Sequence, residues 1–147
     1  MPIAISHRFA DDDLPVEAGR YRLIASGGCP WCRRVLIARR LLGLVEPIPV
    51  SWTYGRGEDG YWELTGADPV LGASSLAEVY ATTPGYTPPP TIPALVDTTS
   101  GRVVSDDSGD MLFDLATAWR NLQRKGAPDL YPINRRNSTD AWDAWLA

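Results

Sequence analysis

The sequence predicts an α/β three-layer sandwich. Three observations lead there. Apolar runs and helical stripes follow one another as strand, helix, strand, helix, hairpin, helix, which places helices against a central sheet. The only two cysteines of the 147-residue chain fall in Cys29-Pro30-Trp31-Cys32, between a predicted strand and a predicted helix. Ile92-Pro93 stands immediately before the hairpin.

Taken in order, residues 1–19 show little periodicity and carry Asp11, Asp12, Asp13 and Pro15. They read as an extension with a solvated acidic stretch. Residues 20–26 read as the first strand, ended by Ser26-Gly27-Gly28. The helix after Cys29 has Val35, Ala38, Leu41 and Leu42 on one stripe, and Gly43 is its stop. Residues 47–52 read as a short strand, and Pro47 and Pro49 give it an edge position. Residues 53–67, with four glycines, read as loop. Asp68-Pro69 reads as a helix start, with Leu76, Val79 and Tyr80 on the buried face. Residues 94–97 and 102–105 pair as a hairpin across a turn ending in Gly101. A last helix starts at Asp107-Ser108, buries Met111, Leu112, Leu115, Trp119 and Leu122, places Arg120, Arg124 and Lys125 in its last turns, and closes at Gly126.

Composition narrows the function. The net charge of −4 argues against a nucleic-acid or anionic-membrane surface. No apolar run approaches the roughly 20 residues that a membrane-spanning helix needs, and no signal peptide is evident, so a cytoplasmic location is expected. In such a reducing compartment a C-x-x-C is catalytic or metal-binding more often than a structural staple. A zinc site needs four ligands, and two cysteines with one distant histidine, His7, do not supply them, so no metal is expected.

The remaining reading is thiol chemistry at a thioredoxin-type position. Cys29 sits where the free N–H groups of the helix point, with Arg33 and Arg34 nearby, and both features favour the thiolate. Cys32, one turn into the helix, is either a resolving thiol or a small buried apolar residue. Pro93 is expected to be cis, exposing the backbone of Ile92 to a peptide-like thiol. Asp107 and Ser108 start a helix, where they either cap it or hold the ammonium and carboxylate of an amino-acid-like end group.

These residues resemble a family, the glutathionyl-hydroquinone reductases, the Xi class of glutathione transferases. The ordered set is Arg20-Tyr21-Arg22-Leu23-Ile24, Cys29-Pro30-Trp31 with Arg34, Ile48-Pro49-Val50-Ser51, Glu58-Asp59-Gly60, Asp68-Pro69, Gly72, Leu76, Glu78, Tyr80, Thr91-Ile92-Pro93, residues 101–104, Asp107 and Ser108. The resemblance spans about residues 20 to 133. It implies a thioredoxin-like glutathione transferase N-terminal domain over residues 20–126, and a linker and truncated helical tail over 127–147. It implies that Cys29 attacks a glutathionyl-hydroquinone and that a second glutathione resolves the mixed disulfide. The catalytic residues expected are Cys29, Cys32 and Arg34. Trp31, Tyr61 or Trp62, Ile92, Pro93, Asp107 and Ser108 are expected to hold the thiol.

The chain departs from the family pattern at four places. Cys32 and Arg33 stand where Ala and His are usual. Asp107 replaces a Glu. Pro88-Pro89 replaces a Gly-Arg. The helical domain that follows in the family is not in this chain. Two alternatives therefore stand beside the first reading: a glutaredoxin-like dithiol reductase cycling Cys29 and Cys32, and a non-catalytic thiol-binding module. The cosubstrate is glutathione or another low-molecular-weight thiol. In the tail, Ser138 is expected to cap a helix bearing Trp142, Trp145 and Leu146, a stripe that needs its own domain, a second copy or the helical domain as partner.

Overall fold

The computed structural model describes residues 5–11 and 13–146; within the last helix the side chains of Trp142, Asp143 and Leu146 lie outside the described set, as does Asp12. Five strands form one sheet in the order β3-β2-β1-β4-β5. They are β1 (Tyr21–Ala25), β2 (Val50–Arg56), β3 (Trp62–Leu64), β4 (Ala94–Asp97) and β5 (Arg102–Ser105). The helices are α1 (Pro30–Leu41), α2 (Leu76–Ala81), α3 (Ser108–Ala116) and α4 (Arg136–Leu146). β1 runs parallel to β2 across the α1 crossover, and every other pairing is antiparallel. β1 and β4 at the centre are mostly apolar and almost wholly buried, as strands covered on both faces must be, with Arg22 and Asp97 paired to opposite charges.

α1 buries Cys32, Val35, Ala38 and Leu42. Cys32 takes the place on that stripe that Leu41 was expected to fill; Leu41 is exposed, because the stripe steps by three and four from Cys32. Gly43 stops the helix as expected, at φ 72°, with Gly43 N–H on Arg40 O and Leu44 N–H on Arg39 O. A Cβ there would lie 2.5 Å from Cβ of Arg124, whose own backbone and side chain donate to Leu42 O and Leu41 O.

Several boundaries differ from the sequence-based expectation. β2 is an interior strand, because Pro47 and Pro49 precede it and remove no donor from its ladder. The glycine-rich stretch 53–67 holds the end of β2 and the edge strand β3, with Gly55 at positive φ where the register shifts. Asp68-Pro69 does not start a helix. Asp68 accepts from the amides of Val70 and Leu71 in a single turn, and its other oxygen takes Ser51 Oγ and Arg22 Nε. α2 starts at Leu76, where Ser75 Oγ accepts from Glu78 N–H and Glu78 reaches back to Ser74 N–H. α3 ends at Ala116 instead of reaching residue 126. Thr117 is its C-cap, with both its amide and its hydroxyl on Phe113 O, and a 3-10 turn over Arg120–Leu122 follows. Trp119 is still fully buried, as its spacing predicted. Ser138 lies inside the first turn of α4 and bonds back to Arg135 O, so it is not the cap. Trp145 is exposed, and the Trp142 and Leu146 side chains of the expected stripe fall outside the described set.

The N-terminal arm is built into this domain. Ser6 bridges Ser105 beside β5, and Phe9 packs edge-on against Tyr21 and Trp119 at 4.9 and 5.2 Å. Arg8 reaches Asp114 and Asp110 on α3. Asp11 and Asp13 are exposed, as an acidic solvated stretch requires.

Two half-buried ion pairs give the fold an acid limit. Hydrogen bonds from Arg20 hold the Asp97 carboxyl below its usual range against the opposing effect of burial, with Thr99 adding to the effect. Burial works to raise Asp68, but Ser51, the amides of Leu71 and Val70, and Arg22 together bring it down. A carboxylate depressed in the folded state stabilises the fold above its unfolded pKa of about 3.9 and loses that contribution as pH falls through the folded value. The urea midpoint should therefore hold steady down to about pH 4 and drop below it. Asp97→Asn should be less stable at neutral pH and have a shallower acid limb. An acid limb identical to that of the native chain would remove Asp97 from this account.

Candidate functional site

Cys29 is the N-cap of α1, held there by Pro30 at the first helical position. The amide of Cys32 donates to its Sγ at 3.4 Å, so a helix N–H faces the sulfur as the sequence implied. On the other side Sγ lies 3.8 Å from the carbonyl oxygen of Ile92. The Ile92–Pro93 bond is cis, as expected, and so is Pro88–Pro89, which was not. Cys29 is half-buried and Cys32 fully buried, and neither is in a disulfide. Burial first, then its contact with Cys29, pushes the Cys32 thiol up to about 12, while the backbone at Ser26 acts in the opposite sense.

From Ile92 an open groove of about 840 Å³ runs along the N-terminus of α3. It is lined by Trp31, Arg34, Ile92, Pro93, Asp107 and Ser108 among others, so the structure gathers most of the expected site residues on one surface. Asp107 is the N-cap of α3: its Oδ1 accepts from Gly109 and Asp110 N–H at 2.8 and 2.9 Å, which leaves Oδ2 for a ligand. Ser108 Oγ accepts from Arg34 Nε at 3.0 Å and also from its NH2 nitrogen. Arg34 further stacks over the Trp31 ring, 5.2 Å from its centroid. Arg34 thus straps α1 to α3 and sets Ser108 and Trp31 in place.

Tyr61 and Trp62 do not line this groove. Trp62 begins the edge strand β3, two strands from β1, where Arg56 stacks on it at 4.8 Å. Tyr61 precedes β3, its amide on Asp59 Oδ1.

Other groove-lining residues were not read as site residues from the sequence. Arg8 and Asp11 come from the arm, and nothing in its irregular pattern marked them. Asp106 lines the groove too, with its carboxyl raised by burial, and accepts from Ile5 N–H. The Tyr80 hydroxyl sits between Thr91 O (2.8 Å) and Asp106 Oδ2 (3.3 Å), tying α2 to the segment that carries Ile92. Burial, then the Asp106 charge, raises the Tyr80 phenol well above its ordinary value. The capping pattern at Asp107 was visible in sequence; the clamp beneath Thr91 was not, because it joins residues far apart in the chain.

A thiol at a helix N-terminus, a carbonyl beside it, and a groove ending in a carboxylate and a hydroxyl suit a peptide-like thiol with a charged end group. Comparison with known proteins points the same way. Residues 28–118 match the family model of the glutathione S-transferase N-terminal domain. A glutathionyl-hydroquinone reductase of Sphingobium chlorophenolicum is 38% identical over 134 residues, 87% of this chain and 42% of that protein. A glutathione transferase structure from Gordonia bronchialis superposes with a TM-score of 0.87 at 39% identity, covering 95% of this chain and 46% of that one. A glutathione-bound glutathione transferase homologue from Escherichia coli superposes with a TM-score of 0.78 at 32% identity, over 89% of this chain and 45% of that one. The chain thus spans less than half the length of these proteins. With the family model covering more than half of its residues, and the five-stranded sheet and cis-proline site in place, the chain belongs to the glutathione S-transferase family through its thioredoxin-like N-terminal domain and resembles the Xi class.

Proposed function

We propose that this chain supplies the thiol-transfer site of a glutathionyl-hydroquinone-reductase-type enzyme. The observation that carries the reading is the position of Cys29 Sγ, against the α1 N-terminus and the carbonyl of Ile92, a residue that lines the same groove as Asp107 and Ser108. The reductase of Sphingobium chlorophenolicum and the glutathione-bound homologue of Escherichia coli support the choice of chemistry.

Glutathione in a conjugate lies along the groove with its cysteinyl backbone paired to Ile92. Its γ-glutamyl ammonium meets Asp107 Oδ2 and its carboxylate meets Ser108. The Cys29 thiolate attacks the conjugate sulfur. The carbon–sulfur bond breaks, the ring carbon takes a proton and leaves as hydroquinone, and Cys29 is left in a mixed disulfide. A second thiol attacks that disulfide, leaves as the oxidised dimer, and frees Cys29. Two unpaired cysteines suit a reducing compartment such as the cytoplasm.

The test is intact-mass and peptide mapping after exposure to oxidised glutathione. One glutathionyl group should attach, and it should map to Cys29. Repeating the exposure with the thiol pool of a cell extract identifies the native cosubstrate. A chain that neither takes up a thiol at Cys29 from either source nor loses two hydrogens to an internal disulfide is not this enzyme's thiol site, and the non-catalytic reading then holds.

A further inference from the structure

Cys32 has no part in the reaction just described. An inert cysteine would simply fill space on the α1 stripe, and Cys32 does more than that. Its amide donates to Cys29 Sγ at 3.4 Å, which seats the two residues against each other across the first turn of α1. It is completely shielded from solvent while Cys29 is half-exposed, so an incoming disulfide meets Cys29 first.

We infer that Cys32 is a resolving thiol that displaces a bound thiol from Cys29 and closes a Cys29–Cys32 disulfide. The inference rests on the thiol-transfer reading of Cys29 and adds a second route out of the mixed disulfide. Cys32 gives up its proton and its thiolate attacks Cys29 Sγ. The bond between Cys29 and the bound thiol breaks as the Cys29–Cys32 bond forms, and the departing thiolate takes up a proton. Two molecules of low-molecular-weight thiol then reduce the internal disulfide. They leave as their own disulfide, and both cysteines return as thiols.

Burial holds the Cys32 thiol protonated, and Cys29 beside it acts in the same sense. The step is therefore slow near neutral pH and quickens as the Cys32 thiolate forms.

The experiment loads native protein, Cys32→Ser and Cys32→Ala with oxidised glutathione, desalts them, and follows intact mass with time. Cys32→Ala keeps a small apolar residue at the buried position, and thermal melts confirm that each variant is folded. The native adduct should decay to a species lacking two hydrogens relative to the dithiol, with one glutathione released. Its lifetime should be at least about tenfold shorter than in either variant. Decay should quicken as pH rises from about 7 to 9, following the thiolate fraction of Cys32. An adduct as persistent in the native protein as in both variants overturns the inference while leaving the Cys29 reaction intact. Failure of all three proteins to form an adduct defeats the thiol-transfer reading and this inference with it.

Discussion

Cys29→Ser is expected to lower kcat/KM for hydroquinone release from a glutathionyl-hydroquinone by at least about a thousandfold. Serine is a good helix N-cap and can accept the Cys32 amide in place of the sulfur, so α1 should start at the same residue and the fold should stand. The loss is then chemical. A serine hydroxyl is not ionised at neutral pH, and the two groups that meet the sulfur, the Ile92 carbonyl and the Cys32 amide, cannot act as a base to take its proton. It would also have to form an S–O bond where the thiol forms a disulfide. Thermal melting of the variant alongside steady-state kinetics separates chemistry from stability. A variant that melts with the native chain and keeps more than about a tenth of its activity removes Cys29 as the nucleophile.

The largest stability effect should come from a residue that touches no substrate. Asp114 is 5% exposed at its side chain and holds the arm to α3 by three donors. Arg8 donates from Nε and from its NH2 nitrogen, and the backbone amide of Phe9 donates at 3.1 Å. Asp114→Ala leaves the Arg8 charge and the Phe9 amide without their acceptor in a largely buried setting, a loss of about 3–5 kcal/mol. For a chain of this size that is a fall in Tm of roughly 10 °C. Asp110→Ala, at the more exposed end of the same arginine, should cost about 1 kcal/mol or less. Differential scanning calorimetry of the pair decides the matter, and equal melting temperatures would show that the buried carboxylate does not anchor the arm. Limited proteolysis should cut the arm of Asp114→Ala first, because Phe9 loses its place against Tyr21 and Trp119.

The parts legible in the sequence are those whose cause is local. Cys29 could be placed because a helix start is written in its neighbours, Pro30 and the stripe that follows. Asp107 showed itself as a cap for the same reason. Trp119 kept its predicted burial even though α3 ends at Ala116, since the aromatic cluster with Phe9 and Tyr21 needs the ring and not the helix. What could not be read depends on residues distant in the chain. Asp68 looks like a helix cap until Arg22 and Ser51 claim its second oxygen. Arg34 was placed at the reaction centre by its closeness to Cys29, yet its guanidinium is taken by Ser108, seventy-four positions away. The arm gave no periodic signal because its pairing partners, Ser105 and Asp114, lie on other elements.

The pairing of Ser6 with Ser105 has a consequence for the protein's behaviour in a crowded solution. A sheet whose last strand is bare offers its free N–H and C=O groups to any extended chain that drifts past. Here His7 N–H is already on Val104 O and Asp106 N–H on Ile5 O, so the β5 border is occupied from within. The opposite border is β3, three residues long and too short a template to recruit a neighbour. Among the described residues the sheet is thus guarded on both flanks against growing by strand addition.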